Sequence, residues 1–196
     1  MSNRESGKTS VLGMLTALIV VLQFMGTFIK FGSFSITLTL VPIVIGGALY
    51  GAKAGAFLGA VFGIVTSVMC AVGLDAGGQM LFAVSPVLTV LVCMVKATAA
   101  GAVAGAVAKS FKTHTTVGVI SAAVCAPVVN TGLFILAMLF LFKDTLTLWA
   151  SGSNIFVYVI TGLTGINFLI ELLINVILAP STVRIVRAVK SVKTPQ

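Results

Sequence analysis

Residues 41–67 read VPIVIGGALYGAKAGAFLGAVFGIVTS, with glycine at positions 47, 51, 55, 59 and 63. A spacing of four puts these glycines on one helix face, where the missing side chains let a second helix approach closely. In water such a helix is poor, because each interior glycine costs about 1 kcal/mol relative to alanine. In lipid the backbone must satisfy its own hydrogen bonds, and helix is the conformation that does so. The stretch therefore reads as a membrane helix hairpin, with Gly51, Ala52 and Lys53 near its turn and a small-residue seam gripped by neighbouring helices.

Working outward, composition agrees. The 196 residues are 59% hydrophobic and only 8% charged, with a mean hydropathy of +1.20. No soluble domain of this length hides so much apolar surface. The net charge of +8 is scattered over short loops and tails, a pattern of membrane orientation that argues against a nucleic-acid partner. Cys70, Cys93 and Cys125 all lie inside apolar runs. Their odd number and lack of ligand spacing argue against disulfides and zinc, so they read as small core residues and no metal or cofactor is implied.

Six spans are predicted, at 9–29, 40–51, 54–74, 81–107, 117–142 and 155–179, within one membrane domain covering 1–196. The fold class is thus an all-α integral membrane protein. Residues 11–29 carry no charge, and that run is longer than the apolar region of a signal peptide and long enough to span. Gly7-Lys8-Thr9 imitates the end of a phosphate-binding loop, but Ser2 stands where the loop needs its first glycine. No strand precedes it, so no nucleotide site is expected. Residues 33–40 alternate strictly, with Ser33, Ser35, Thr37 and Thr39 polar between apolar neighbours. That period of two predicts an extended segment, serving either as a lid over a cavity or as a plain connection.

The bases orient the bundle. Arg4, Lys8, Lys53, Lys109, Lys112, Arg184, Arg187, Lys190 and Lys193 fall on the side of the two termini, whereas Lys30 and Lys143 fall opposite. By the positive-inside rule both termini are cytoplasmic.

Function should rest on polar groups that lipid penalises. Lys96 and Glu171 are the sharpest, since a charge inside a span costs about 2.5–3.5 kcal/mol even on insertion scales. Each stands 13 residues from a basic marker, Lys109 or Arg184. At ~1.5 Å per residue both lie ~20 Å above the cytoplasmic charges, past the middle of a ~30 Å core. Asn167 and Asn130 fall at a similar height. Gln79, in the outer turn DAGGQ, and Trp149, in the outer loop, complete the candidate substrate-binding set, although a Trp there also serves as an interface anchor. Lys96 and Glu171 can instead form a buried ion pair that locks two helices, and each asparagine can serve interhelical hydrogen bonding.

An enzyme is not expected. The single histidine, His114, lies in a cytoplasmic turn, and no nucleophile–base or carboxylate pair stands at catalytic spacing. A self-sufficient secondary transporter would use more spans and an inverted repeat. A channel would line a continuous polar path, whereas polarity here is confined to one level. A substrate-capturing subunit of a larger transporter, needing one pocket and an external energy source, fits better.

The VPIVIGGALYG-AKAGAFLGAVFG stretch, the length, the six-span layout and the small-residue first helix resemble the substrate-binding subunits of energy-coupling-factor (ECF) vitamin transporters. The resemblance covers essentially the whole chain. It implies a vitamin bound in the outer half by the last three spans under the first connecting loop. It also implies docking of the first helix on a transmembrane coupling subunit through a small-xxx-small motif, here Gly13 and Ala17, with glycine replacing the usual first alanine. Two separate ATPase subunits would drive the cycle, in a bacterial cell membrane. Lys96 suits an anionic vitamin such as pantothenate, with Asn130, Asn167 and Glu171 receiving hydroxyls and amides; pyridoxine or a thiamin precursor is left open.

Overall fold

The computed structural model describes residues 3–28, 30–31, 34–35, 37–111, 113–159, 161 and 165–192. Their regular structure is helical apart from a minimal antiparallel hairpin, β1 (Lys30–Phe31) paired with β2 (Phe34–Ser35), in which Lys30 faces Ser35 and Phe31 faces Phe34. Five helices contain segments long and apolar enough to cross a membrane. They are α1 (Asn3–Gly26), α3 (Ala52–Ala71), α5 (Pro86–Ser110), α6 (Thr115–Phe140) and α9 (Gly165–Val192). A sixth apolar helix, α2 (Leu40–Tyr50), has 11 residues. At ~1.5 Å per residue it is ~16 Å long, about half of a ~30 Å core.

The glycine ladder explains the packing. A Cβ on Gly63 of α3 would stand 2.9 Å from the carbonyl oxygen of Cys93 on α5, and one on Gly47 of α2 would stand 2.9 Å from Cα of Gly105. Side chains at Gly55 and Gly59 would collide with the backbone carbonyls of Gly101 and Ala97. The seam is therefore backbone against backbone along α3 and α5, and the small run Ala97, Ala100, Gly101, Ala104 and Gly105 is its other half. Gly51 makes the turn between α2 and α3 at φ +88°, a region that favours glycine.

α2 is apolar all round because neighbours surround it: it packs against α1, α3, α5, α6 and α9, and nine of its 11 residues are buried. Leu40, Ile43 and Val44 join Leu58, Phe62, Ala104, Ala122 and Val186 in the main core. α1 is the most peripheral span, with 22% of its apolar window buried against 56% for α3.

Three boundaries differ from the sequence expectation. The outer turn expected at 75–79 is largely a separate helix, α4 (Ala76–Val84), bracketed by extended Asp75 and Ser85. Pro86 then opens α5 at a first-turn position where its missing N–H costs nothing. The outer loop after α6 holds another helix, α7 (Lys143–Ala150). The last span, expected at 155–179, is replaced by the four-residue α8 (Ile155–Tyr158) and a long α9 from Gly165. α9 continues through Pro180 because Ala179, Val183 and Val186 pack into the main core, offsetting the cost of the proline. Arg184, Arg187 and Lys190 thus extend from a helix and not from a loose tail. Within 33–40, β2 and the irregular residues 37–38 precede α2, while Ser33 and Ile36 lie outside the described residues, as do Lys112 and Lys193 of the basic set.

Candidate functional site

Lys96 sits midway along α5, and in an α-helix a side chain leans toward the N-terminal end, here the end at Pro86. Its Nζ lies 5.0 Å from the centroid of the Phe134 ring on α6. A ring face attracts a cation through its quadrupole, by about 2 kcal/mol when desolvated. The ammonium borders a partly open pocket between α3, α4, α5 and α6, about 390 Å³ when the open solvent at its mouth is counted. Thr66, Cys70, Asp75, Thr89, Cys93 and Lys96 supply its polar lining; Leu81, Phe134, Met138 and Phe142 supply apolar walls.

Among the described residues, Thr66 and Asn130 each hold a polar atom without a hydrogen-bond partner near this level. Thr66 Oγ1, lining the cavity, is one; Asn130 Oδ1, one turn before Phe134 on α6, is the other. Both residues are buried, with Asn130 only 3% exposed. A buried acceptor left unpaired costs about 1–3 kcal/mol, so such atoms are suited to a donor brought by a bound solute. Measured from Ala52 and Thr115, the starts of their helices, Thr66 and Asn130 stand ~21 and ~22 Å along the axes at ~1.5 Å per residue. That is the level of Lys96.

Glu171 is placed differently. Its Oε1 accepts the backbone N–H of Thr37 at 2.9 Å, and both residues are buried. Among the described residues no ion pair joins Lys96 to Glu171, so the helix-locking pair is replaced by a helix-to-loop hydrogen bond. Asn175, one turn further along α9, donates through Nδ2 to the Glu171 carbonyl at 2.8 Å. Asn167 lies half-buried one turn before Glu171. Gln79 is exposed and its carboxamide folds over Gly73, away from the cavity lining. Trp149 packs half-buried against the second apolar cluster, with Leu81, Met138, Phe142 and Leu146.

Of the residues singled out from the sequence, Lys96 lines this cavity and Asn130, Asn167, Glu171, Gln79 and Trp149 do not, while Thr66, Thr89, Asp75 and Phe134 line it without having been singled out. The pair Thr66-Ser67 in an otherwise apolar span was the available signal. Cys70 and Cys93, read as core, are buried and also line the cavity. On the far side of the bundle, Gly13 and Ala17 of α1 are exposed, and a Cβ on Gly13 would meet nothing within 4 Å.

Apolar helices of spanning length, packed around a buried half-length helix, define a helical membrane protein. The family of the ECF transporter substrate-specific component matches residues 10–183, and the chain belongs to that family. It is accordingly a transport-binding subunit, and membership implies association with a coupling subunit and ATPases. A comparison with curated proteins returns no match.

Proposed function

We propose that this subunit captures a small carboxylate-bearing vitamin, with pantothenate favoured, on the distal half of a six-pass bundle whose termini are both cytoplasmic. The observation that carries the reading is Lys96: a half-buried ammonium bordering a cavity, resting on an aromatic ring and ion-paired to no carboxylate among the described residues. A substrate carboxylate would replace the ring as its counter-charge, in a charge-assisted hydrogen bond stronger than a neutral one. Thr66 Oγ1 lines the cavity and can accept from the hydroxyl and amide N–H groups that pantothenate carries; Asn130 Oδ1 is a second unpaired acceptor at this level, outside the lining. Asn167, on α9, which packs against α6, is a further polar group outside that lining.

In this reading the exposed Gly13 and Ala17 face of α1 docks on the transmembrane coupling subunit of a bacterial cell membrane, and two ATPase subunits power release. Isothermal titration of the purified subunit against the B vitamins tests the proposal: pantothenate binds, and uncharged pyridoxine binds at least tenfold more weakly. Preference for an uncharged vitamin would contradict it.

A further inference from the structure

Residues 37–39 pose a problem of backbone chemistry. α2 is ~16 Å long, so its first residue, Leu40, stands about halfway through the hydrocarbon core. The irregular backbone ahead of it is buried: Thr37 is 8% exposed and Thr39 is fully buried. Non-helical backbone at membrane depth persists only where protein surrounds it and its polar groups are paired. The head of α2 also carries the positive end of a helix dipole. Thr39, at the N-cap, makes no side-chain cap, and its Oγ1 has no partner.

Glu171 answers both needs. It takes the Thr37 N–H across 134 positions of chain, and so brings its carboxyl group to the segment that leads into the positive end of α2. α2 in turn packs against α5 and α6, the helices that carry Lys96 and Asn130. We propose that Glu171 is a positioning residue, whose carboxylate fixes residues 37–39 and the head of α2 against α9 and thereby sets the binding geometry without touching the solute. Its affinity readout rests on the solute-capture reading above; its geometric readout does not.

The experiment uses the full chain in nanodiscs, with Cys125→Ser to remove the partly exposed thiol and Leu38→Cys as a reporter beside the tie. Maleimide labelling of position 38 and pantothenate binding kinetics are measured with Glu171, Glu171→Gln and Glu171→Leu. Glutamine keeps an acceptor for the Thr37 N–H, whereas leucine removes it. Loss of a hydrogen bond to a charged group corresponds to roughly tenfold or more in an equilibrium. Labelling of Glu171→Leu accelerates by about that factor, with a matching rise in pantothenate dissociation rate, while Glu171→Gln restores both to within about threefold. Thr37→Pro, which deletes the donor and leaves α9 intact, reproduces the leucine phenotype and replaces that variant should it fail to fold. Unchanged labelling in Glu171→Leu and Thr37→Pro overturns the proposal. So does a glutamine variant that binds as poorly as leucine with labelling unchanged, because the charge would then be meeting the solute. If pantothenate fails to bind even with Glu171 intact, the solute reading falls while the labelling series still decides the role of Glu171.

Discussion

Lys96 on α5 and Phe134 on α6 form a cation–π pair, with Nζ 5.0 Å from the ring centroid, inside a bundle that otherwise carries very little charge. The contact holds the ammonium between two helices while leaving it able to accept an anion. Replacing Phe134 by leucine removes the quadrupole and keeps an apolar side chain. The expected loss is about 0.5–2 kcal/mol of stability, read as a lower melting temperature in detergent. Added pantothenate narrows the gap, because a bound carboxylate supplies the missing counter-charge. An unaltered melting temperature without ligand would show that the ring contributes nothing to holding Lys96.

The backbone seam between α3 and α5 leaves no room for a side chain. A Cβ on Gly59 would stand 3.0 Å from Cα of Thr98 as well as colliding with the Ala97 carbonyl. Gly59→Val forces the helices apart and costs on the order of 3 kcal/mol or more, at or beyond the upper end of ordinary overpacking because the obstacle is backbone. Gly13→Ala, whose Cβ meets nothing, leaves stability within about 0.5 kcal/mol. Thermal unfolding of the two variants side by side checks the contrast; equal destabilisation would refute the packing account.

The exposed face of α1 gives a different forecast. Gly13→Leu with Ala17→Leu leaves pantothenate affinity unchanged and abolishes co-purification with the coupling subunit, since a small-residue face admits a partner helix closely and a leucine face does not. Uptake that persisted in cells lacking every coupling subunit would establish the chain as a self-sufficient transporter.

Topology is tested by labelling from outside intact cells. Leu146 is fully buried in the second cluster, so the informative positions are Ser6 and Thr147, both exposed. In a Cys125→Ser background, a membrane-impermeant maleimide modifies Thr147→Cys and spares Ser6→Cys. Modification of both, or of Ser6→Cys alone, contradicts the orientation drawn from the basic residues.

The glycine ladder was legible because a spacing of four has one geometric meaning in a helix, and the structure supplies its partner in the small-residue run of α5. Lys96 and Asn130 stand out in the sequence because polar groups are costly in lipid; the structure puts Lys96 on the cavity lining and Asn130 outside it. The course of the last span was not legible. Pro180 reads locally as a stop, and only the packing of Val183 and Val186 into the core carries the helix through it. Glu171 matches Lys96 in depth, but depth along two helices says nothing of azimuth, and its carboxyl group meets the backbone of Thr37. Thr37 reached it from a loop 134 positions away. Gln79 and Trp149 were assigned by proximity in sequence to the outer loops, and side-chain packing turns one over Gly73 and the other onto an apolar cluster.

The most direct measurement is the pantothenate dissociation constant of Lys96→Met, determined beside the wild type on preparations whose melting temperatures are also recorded. Methionine keeps most of the length and an apolar stem while removing the ammonium with its charge and its donors. The account predicts affinity weaker by at least tenfold, ~1.4 kcal/mol, with a folded, monodisperse protein. A folded variant that binds pantothenate as tightly as the wild type would contradict the assignment of Lys96 as the group that receives the carboxylate.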